Sequence, residues 1–400
     1  MTDEGRAFDR TLRGRAAIIG IGETPYYKRG KSPLPEFKLA LQAILAAAGD
    51  AGIDVREIDG FASYADERSM PARLAAGLGI RELKFSNLVW GGGGGGGAAA
   101  VGNAAAAVAA GIADCVVVYR SIASGEFRRG AGMAGSQTIS GDQALWFPYG
   151  LISPAQQFAM KVVRFMHEHG IEPEALRAIA MASYHHAQMN PRAVMYGRPL
   201  TTRMYDESRW IVEPFHHLFD CCMENDGAAA VMVVSAERAR SMEQKPVYVL
   251  AAAQGSHYRS GARGHNAPNY ASATFGEMAP RLYRMAGIQP SDVDTAQIYE
   301  NFTGGVLMAM VEHGFFRAEE ANEFLELENL IAPNGKLPLN TSGGNLAECY
   351  MHGLELQIEA VRQLRGHSTA QVTDAKVALI VAGPMVTPTS NLLFGTQETL

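Results

Sequence analysis

The segment QIYENFTGG, residues 297–305, places Tyr299 at the carboxyl end of a predicted buried strand. Ligands bind at the carboxyl ends of strands in open α/β sheets. Tyr299 is therefore a candidate site residue, with Glu300 following it into a turn. The same pattern also fits a tyrosine in the core or at a sheet edge.

A second segment whose side chains could take part in a reaction is LNTSGGNLAECYMHGLEL, residues 339–356. Asn340 and Ser342 are turn and N-cap formers, while Gly343 and Gly344 allow a close backbone approach. The other polar members are expected in or near the first turn of a helix: Glu348, Cys349, Tyr350 and His352. A helix N-terminus could stabilise an enolate oxygen or a phosphate. The alternative is an ordinary capped helix with a surface histidine.

Seven consecutive glycines, Gly91 to Gly97, stand in LVWGGGGGGGAAAVG. The run lacks the Lys and Ser/Thr of a phosphate-binding P-loop, and its match to G-x-G-x-x-G is trivial. Apolar sequence on both sides argues against a flexible linker. The run therefore predicts a turn before a buried helix, at a point where a side chain would block something.

Other reactive side chains form no recognisable site. The pairs His185–His186, His216–His217 and Cys221–Cys222 are adjacent in sequence, so their members point to different sides of an element. No C-x-x-C or H-x-x-x-H spacing is present. No G-x-S-x-G elbow marks a serine nucleophile. We predict no metal site in this chain.

The composition excludes several classes of protein. The 400 residues are 47% hydrophobic and carry a net charge of −6, which argues against a nucleic-acid partner. The longest apolar stretch, residues 98–119, is rich in alanine and contains Asn103 and Asp114, so no membrane span is expected. Four irregularly spaced cysteines favour reduced thiols in a cytoplasm.

Strand and helix patterns alternate, which predicts an α/β fold with largely parallel strands. Strands are predicted at residues 16–21, 58–64, 115–119, 228–235 and 247–252, and helices at residues 37–51 and 98–110.

The second half repeats the first. AGIDVREIDGFASY, residues 51–64, aligns without gaps with AGIQPSDVDTAQIY, residues 286–299, at an offset of 235. A glycine turn, a helix and an apolar strand then follow in both halves. We predict a duplicated core, with one half at residues 1–245 and the other at residues 246–400. Residues 121–218 read as a loop domain inserted in the first half, where it would shape the substrate site.

Three motifs resemble those of the thiolase superfamily. NTSGGNLAECYMHG is similar to the thiolase segment N-x-x-G-G-x-x-x-x-G-H-P-x-G, YENF to N-E-A-F, and VAGPM to C-x-G-G. The resemblance extends over residues 16–395 and is closest to the lipid-transfer-protein, or sterol-carrier-protein-type, branch. It implies the thiolase fold: duplicated βαβαβαββ halves in α-β-α-β-α layers, with an inserted loop domain.

The catalytic positions of the thiolase pattern are all changed. The acylated cysteine would fall near Gly94, and Tyr350 replaces the histidine of G-H-P. Tyr299 replaces the asparagine of N-E-A-F, and the second cysteine, at about residue 381 or 382, is missing. Without a thiolate to carry an acyl group, thiolysis and Claisen condensation are not expected.

The tyrosine pair instead resembles the thiolase-like aldolases that cleave the side chains of steroid acyl-CoA thioesters. This implies retro-aldol cleavage of a β-hydroxyacyl-CoA to a ketone and a shorter acyl-CoA, such as propionyl-CoA. We expect Tyr350 to be the base and Tyr299 to stabilise or protonate the enolate, although the roles could be exchanged. A tyrosine base would need its pKa lowered from about 10. Residues expected around the substrate are Gly94, Asn340, Ser342, Gly343, Gly344, Cys349 and His352.

Loss of the thiolase cysteine is expected to leave room for a bulky acyl chain. Two other functions remain open: a non-catalytic acyl-CoA or sterol carrier, and an atypical acyltransferase with Cys349 as its base. No cofactor is expected beyond the coenzyme A of the substrate. The resemblance also implies a homodimer and a complex with a small OB-fold, zinc-ribbon acyl-CoA-associated protein, to which the zinc would belong.

Overall fold

The computed structural model describes residues 11–91, 93–126, 139, 141–260 and 267–400. Gly92 of the glycine run and part of the predicted insertion lie outside the described residues. The strands are β1 (Ala16–Glu23), β2 (Tyr27–Lys28), β3 (Gly60–Tyr64), β4 (Phe85–Val89), β5 (Cys115–Ile122), β6 (Trp210–Val212), β7 (His216–His217), β8 (Asn225–Ser235), β9 (Val247–Gly255), β10 (Thr295–Ile298), β11 (Val377–Ala382) and β12 (Thr389–Gly395).

The helices are α1 (Glu36–Ala51), α2 (Pro71–Leu78), α3 (Gly97–Ala109), α4 (Pro154–His169), α5 (Glu174–Ala187), α6 (Thr202–Asp206), α7 (Ala236–Ala239), α8 (Met278–Ala286), α9 (Thr303–Glu312), α10 (Ala321–Phe324), α11 (Leu327–Leu330) and α12 (Leu354–Arg365). Among the described residues, no helix is long and apolar enough to cross a membrane.

The main sheet has the strand order β4-β3-β5-β8-β1-β9-β12-β11-β10, and β2 adds to β8. The order is mirrored about the antiparallel β1–β9 pair, which is joined at Ala17–Tyr248 and Ile18–Val247. In the first half, β1–β8 and β8–β5 are antiparallel and β5–β3 is parallel. In the second half, β9–β12 and β12–β11 are antiparallel and β11–β10 is parallel. A parallel bridge between Ala296 and Leu339 stands where β4 stands in the first half. This mirror order confirms the duplicated core. The expectation of largely parallel strands is wrong, because most of the strand pairings are antiparallel.

The sequence repeat corresponds to a structural repeat in the same register. Helix α1 ends at Ala51 and α8 ends at Ala286, and each is followed by a one-turn 3₁₀ helix that begins four residues later. Strands β3 and β10 then begin at Gly60 and Thr295, again 235 residues apart. The residue boundaries of the two halves and of the insertion stay predictions.

Three apolar clusters define the layers of the fold. Helices α1 and α2 pack on the outer face of the first half, and α8 and α9 on the outer face of the second. Helices α3 and α12 lie between the halves and contact strands of both. A Cβ at Gly102 of α3 would lie 2.7 Å from Cβ of Ala252, so the small residues of α3 allow this close packing. The arrangement is the predicted α-β-α-β-α order.

The predicted loop domain contains more regular structure than its Gly/Ser/Pro punctuation suggested. In its described part, the segment between β5 and β8 forms helices α4, α5 and α6 and the two-stranded β6–β7 hairpin. Helix α5 faces the turn that begins at Gly344, and α4 packs against α9. These contacts place the insertion beside the second half of the molecule.

The close packing of α1 on β1 depends on glycine. A Cβ at Gly22 would overlap the carbonyl oxygen of Ala43 and the nitrogen of Ala47, whereas a Cβ at the exposed Gly49 of α1 would meet nothing within 4 Å. We expect Gly22→Ala to lower the free energy of unfolding by about 1–3 kcal/mol through overpacking. Gly49→Ala should raise it by about 0.5–1 kcal/mol through helix propensity. Urea unfolding measures both, and a stabilised Gly22→Ala protein would contradict this packing.

Candidate active site

The two predicted catalytic tyrosines lie side by side. Tyr299 directly follows β10, and Tyr350 follows the turn that precedes α12. Their hydroxyl oxygens are 2.6 Å apart and their ring centroids 5.9 Å apart. Tyr299 is buried and Tyr350 is partly buried. A contact of this length is a hydrogen bond in which one hydroxyl donates and the other accepts.

The glycine run ends against the ring of Tyr299. A Cβ at Gly94 would overlap Cε2 of Tyr299 and lie 2.5 Å from its Cζ. A Cβ at Gly353 would lie 2.8 Å from Cδ2 of the same ring. The expectation that this space is left for the acyl chain is therefore wrong: the ring of Tyr299 fills it. Whether Gly94 also contacts substrate stays a prediction.

The next glycines bring the backbones of the two halves together. A Cβ at Gly95 would overlap the carbonyl oxygen of Pro388, and one at Gly383 would overlap Cα of Gly95. A Cβ at Gly96 would lie 2.7 Å from Cβ of Tyr64. Side chains at these positions are thus excluded by backbone atoms and by Cβ of Tyr64. The predicted turn before a buried helix is confirmed, since α3 begins at Gly97.

Burial raises the pKa of both tyrosines. The pKa of Tyr299 lies well above 10, first because of burial and then because of Tyr350. Burial also raises the pKa of Tyr350; the hydrogen bond with Tyr299 and the charge of Arg120 act in the opposite direction without outweighing it. The lowered pKa expected of a tyrosine base is therefore not found. Both hydroxyls are neutral at neutral pH.

The turn after Leu339 holds the end of β10. The side chain of Asn340 donates from Nδ2 to the carbonyl oxygen of Ile298 at 2.8 Å and accepts from its N–H at 2.7 Å. Gly343 and Gly344 have φ values of 112° and 55°. A Cβ at Gly344 would overlap the carboxylate of Glu300. Asn340, Gly343 and Gly344 thus set the position of the Tyr299 segment, and any contact they make with substrate stays a prediction.

No α-helix begins at Glu348 or Cys349. Residues 344–348 form a single π turn, Cys349 is extended with φ −168°, and α12 begins only at Leu354. Tyr350 is fixed by its own N–H, which donates to Oδ1 of Asn225 at 3.1 Å. Tyr350 and His352 therefore lie just before a helix N-terminus rather than within its first turn.

Three further predicted site residues have different surroundings. Ser342 is buried, and its carbonyl oxygen accepts from Nδ2 of Asn190 at 2.9 Å. Cys349 is fully buried, and burial raises the pKa of its thiol well above the ordinary value. His352 is partly buried, with its ring perpendicular to that of Tyr350 at a centroid distance of 4.9 Å. Of these three side chains, that of His352 contacts the tyrosine pair, through the ring of Tyr350.

Glu300 forms a buried link beside Tyr299. Its carboxylate accepts from the hydroxyl of Ser183 and from the N–H of Asn345, the latter at 2.7 Å. In return, its N–H donates to Oδ1 of Asn345 at 2.9 Å. Burial raises the pKa of Glu300 to about 7. The sequence predicted Glu300 in a turn after Tyr299 and did not predict these hydrogen bonds. An acidic residue next to a buried strand was the one feature that could have indicated them.

Other neighbours of the pair gave no usable sequence signal. Cys222 and Glu355 lie close enough to both tyrosines to raise their pKa values. Arg120 lies on β5, directly after the apolar run CVVVY that predicted a buried strand at residues 115–119. Within the described ranges, no group of three or more His, Cys, Asp or Glu side chains could hold a metal ion.

The fold and the tyrosine pair define a thiolase-superfamily protein without the thiolase cysteines. The family model described as thiolase C-terminal domain-like matches residues 257–395. The chain is 42% identical over 400 residues to a steroid side-chain-cleaving aldolase of Thermomonospora curvata, covering 97% of this chain and 99% of that protein. The chain belongs to the family of steroid side-chain-cleaving aldolases.

A second curated relative and a solved structure support the same family assignment. The 17-hydroxy-3-oxo-4-pregnene-20-carboxyl-CoA lyase of Mycobacterium tuberculosis is 39% identical, with 96% of this chain and 100% of that protein covered. The solved structure of an Ltp2-ChsH2(DUF35) aldolase is 40% identical and superposes with a TM-score of 0.90. That match covers 98% of this chain and 100% of the solved chain.

The contact between Gly94 and Tyr299 can be tested by adding one methyl group. We expect Gly94→Ala to displace the ring of Tyr299 and to break the 2.6 Å hydroxyl contact, because the new Cβ overlaps the ring. Gly97→Ala is the matched control from the same run, since its Cβ would approach other atoms no closer than 3.4 Å. Crystal structures of both variants give the distance between the hydroxyls. An intact contact in Gly94→Ala would contradict the packing described here.

The raised pKa of Glu300 has a stability consequence. The folded protein binds this proton more tightly than the unfolded chain, so its contribution to the free energy of unfolding falls as pH rises from about 4.5 to about 7. Glu300→Gln removes that contribution. Between pH 5 and pH 8 the free energy of unfolding of the variant should rise relative to that of the wild type by more than about 1 kcal/mol, since one pKa unit corresponds to about 1.4 kcal/mol. Identical pH dependences in urea unfolding would refute this assignment.

Proposed function

We propose that this protein is a carbon–carbon lyase that cleaves a β-hydroxyacyl-CoA by a retro-aldol reaction. The substrate is the CoA thioester of a steroid side chain, and the products are a ketone and a short acyl-CoA such as propionyl-CoA. Identity of about 40% over nearly the whole length of two aldolase or lyase relatives supports this class of reaction. The hydrogen-bonded tyrosine pair is the observation that carries the proposal.

A retro-aldol cleavage needs proton transfers but no covalent enzyme intermediate. The substrate hydroxyl loses its proton, and its O–H electrons form the carbonyl of the ketone. The electrons of the broken C–C bond pass into the thioester, which becomes an enolate. A proton then bonds to the enolate carbon and gives the shorter acyl-CoA. Two hydroxyls in contact can supply both transfers, whereas thiolase chemistry needs a thiolate that this site lacks.

The raised pKa values favour a relay over a free tyrosinate. Tyr350 receives the substrate proton while it passes its own to Tyr299, and Tyr299 delivers its proton to the enolate carbon. The 2.6 Å contact is short enough for transfer between the two oxygens. Tyr350 is the better receiver because the charge of Arg120 and the hydrogen bond with Tyr299 both favour its anion, whereas this hydrogen bond raises the pKa of Tyr299. Neither tyrosine carries a net charge before or after the relay.

An acyltransferase that uses Cys349 as its base is not favoured. The side chain is fully buried, and the raised pKa of its thiol leaves little thiolate at neutral pH. In the lyase, the coenzyme A is part of the substrate and no further cofactor takes part.

The protein is also proposed to act as a homodimer in the cytoplasm, together with a small acyl-CoA-associated protein that has an OB-fold and a zinc ribbon. The solved Ltp2-ChsH2(DUF35) aldolase supports an assembly of this kind. Strand β4 supports the dimer, because it is the outer strand of the sheet and exposes Ser86 and Leu88.

Removing either hydroxyl tests the relay. In the complex with its partner, Tyr299→Phe and Tyr350→Phe should each lower kcat by about 10²–10⁴, because a positioned acid–base group contributes that much. KM should change little, since both rings remain. Tyr283→Phe is the control: this buried hydroxyl on α8 has no hydrogen-bond partner in the described part of the chain. Ketone release from a panel of β-hydroxyacyl-CoA thioesters is the measurement.

The other functions give different results in the same experiments. A carrier would bind the thioesters without releasing a ketone, even with its partner present. An acyltransferase would exchange labelled coenzyme A into acyl-CoA, whereas the lyase does not. A wild type that binds every thioester and cleaves none would contradict the proposed function.

A further inference from the structure

Arg120 is a fully buried cation next to the tyrosine pair. It stands on β5 with 0% of its side chain exposed. Its guanidinium donates to Oε2 of Glu67 at 3.0 Å and to Oδ1 of Asp66 at 2.8 Å. Its Nε and Nη2 lie 3.2 Å and 3.1 Å from Nδ1 of His352. Because burying a guanidinium is costly unless it is paired, this arrangement holds the group in one orientation.

The contact with Arg120 fixes the protonation of His352. A guanidinium has donors only and stays protonated, so Nδ1 of His352 must accept. The proton of the neutral ring is therefore on Nε2, which points away from Arg120. Protonation of Nδ1 would place an N–H against the guanidinium and a second positive charge beside the first. His352 is accordingly held as a neutral ring with an Nε2–H donor.

The backbone also holds His352 in place. Its φ of 53° lies in the left-handed region, and its carbonyl oxygen accepts from the hydroxyl of Tyr64 at 3.0 Å. The ring of Tyr64 also lies below the guanidinium of Arg120, at 5.8 Å from its centroid. The imidazole stands perpendicular to the ring of Tyr350 and is partly buried. The imidazole is therefore held in one orientation beside the ring of Tyr350.

We propose that His352 is a further catalytic residue, whose Nε2–H donates to the thioester oxygen as that oxygen becomes an enolate. Arg120 is its positioning residue. This inference rests on the proposed function, since an enolate oxygen arises only if the C–C bond is cleaved. The tyrosine relay moves protons but leaves this oxygen without a stabilising partner. A neutral imidazole held by its surroundings is a donor suited to an enolate, because it stabilises the charge without giving up its proton.

Substitution of His352 by Gln or by Asn distinguishes the contribution of Nε2 from that of Nδ1. The amide of His352→Gln reaches about as far as Nε2, whereas that of His352→Asn reaches about as far as Nδ1. Asn tolerates positive φ well, so a loss of activity in that variant does not come from backbone strain. In the complex with its partner, His352→Asn should lower kcat by about 10²–10³, the usual cost of one oxyanion donor. KM should stay within a few-fold, and His352→Gln should retain kcat to within about tenfold of the wild type.

Nitrogen-15 NMR of protein labelled at histidine tests the tautomer directly. The His352→Asn spectrum identifies the signals that belong to His352. We expect an unprotonated Nδ1 and a protonated Nε2, unchanged between pH 5.5 and pH 8. The ionisable groups described around this ring are Arg120 on β5, Asp66 and Glu67 after β3, Tyr64 on β3, and Tyr350. A protonated Nδ1, or a ring that titrates in this range, would overturn the proposal.

Arg120→Lys tests the positioning role. It keeps the positive charge, but a single ammonium cannot span Asp66, Glu67 and His352 together. We expect a lower kcat and a mixture of His352 tautomers in a protein that still unfolds cooperatively. A single unchanged tautomer in this variant would contradict the role of Arg120.

The controls separate this inference from the proposed function. A wild-type complex without ketone release contradicts the lyase itself. A wild-type complex that releases ketone, with a His352→Asn variant of equal kcat, contradicts only the role of His352.

Discussion

The molecule is organised around one steric constraint: the two halves meet at a stretch of backbone that has no space for side chains. Gly94 lies against the ring of Tyr299, and Gly95 lies against Pro388 and Gly383. The middle-layer helix α3 begins immediately afterwards and packs on strands of both halves. The same stretch of backbone therefore holds the two halves together and fixes the position of the Tyr299 ring. Tyr299, the proposed proton donor, is therefore part of the seam between the halves.

Burial at this seam determines the chemistry available to the tyrosines. A buried hydroxyl resists ionisation, so the pKa values of Tyr299 and Tyr350 rise although Arg120 lies nearby. A pair that stays neutral is suited to moving a proton between two atoms of one substrate. It is poorly suited to holding a charge, which has to be stabilised from another side of the site.

The sequence predicted the features that depend on local pattern. The buried strands and the ungapped repeat follow from periodicity and turn residues, whereas the two tyrosines were singled out as a pair by the resemblance to the thiolase-like aldolases. Strand β4 was missed because FSNLV is short and its two adjacent polar residues, Ser86 and Asn87, interrupt the apolar–polar alternation that indicates a strand. The π turn after Gly343 depends on space for the carboxylate of Glu300, and Arg120 is placed by acids distant in sequence. Neither these contacts nor the raised pKa values can be deduced from neighbouring residues alone.

The repeat makes Tyr64 and Tyr299 equivalent positions, 235 residues apart: Tyr64 is the last residue of β3, and Tyr299 directly follows β10. Their work differs. The hydroxyl of Tyr64 supports the backbone of His352, whereas that of Tyr299 meets Tyr350. Equivalent positions of the two halves thus serve different purposes: one supports the scaffold, and the other holds the hydroxyl to which we assign reactivity. Such a division of labour lets chemistry diverge in one half without loosening the architecture of the other.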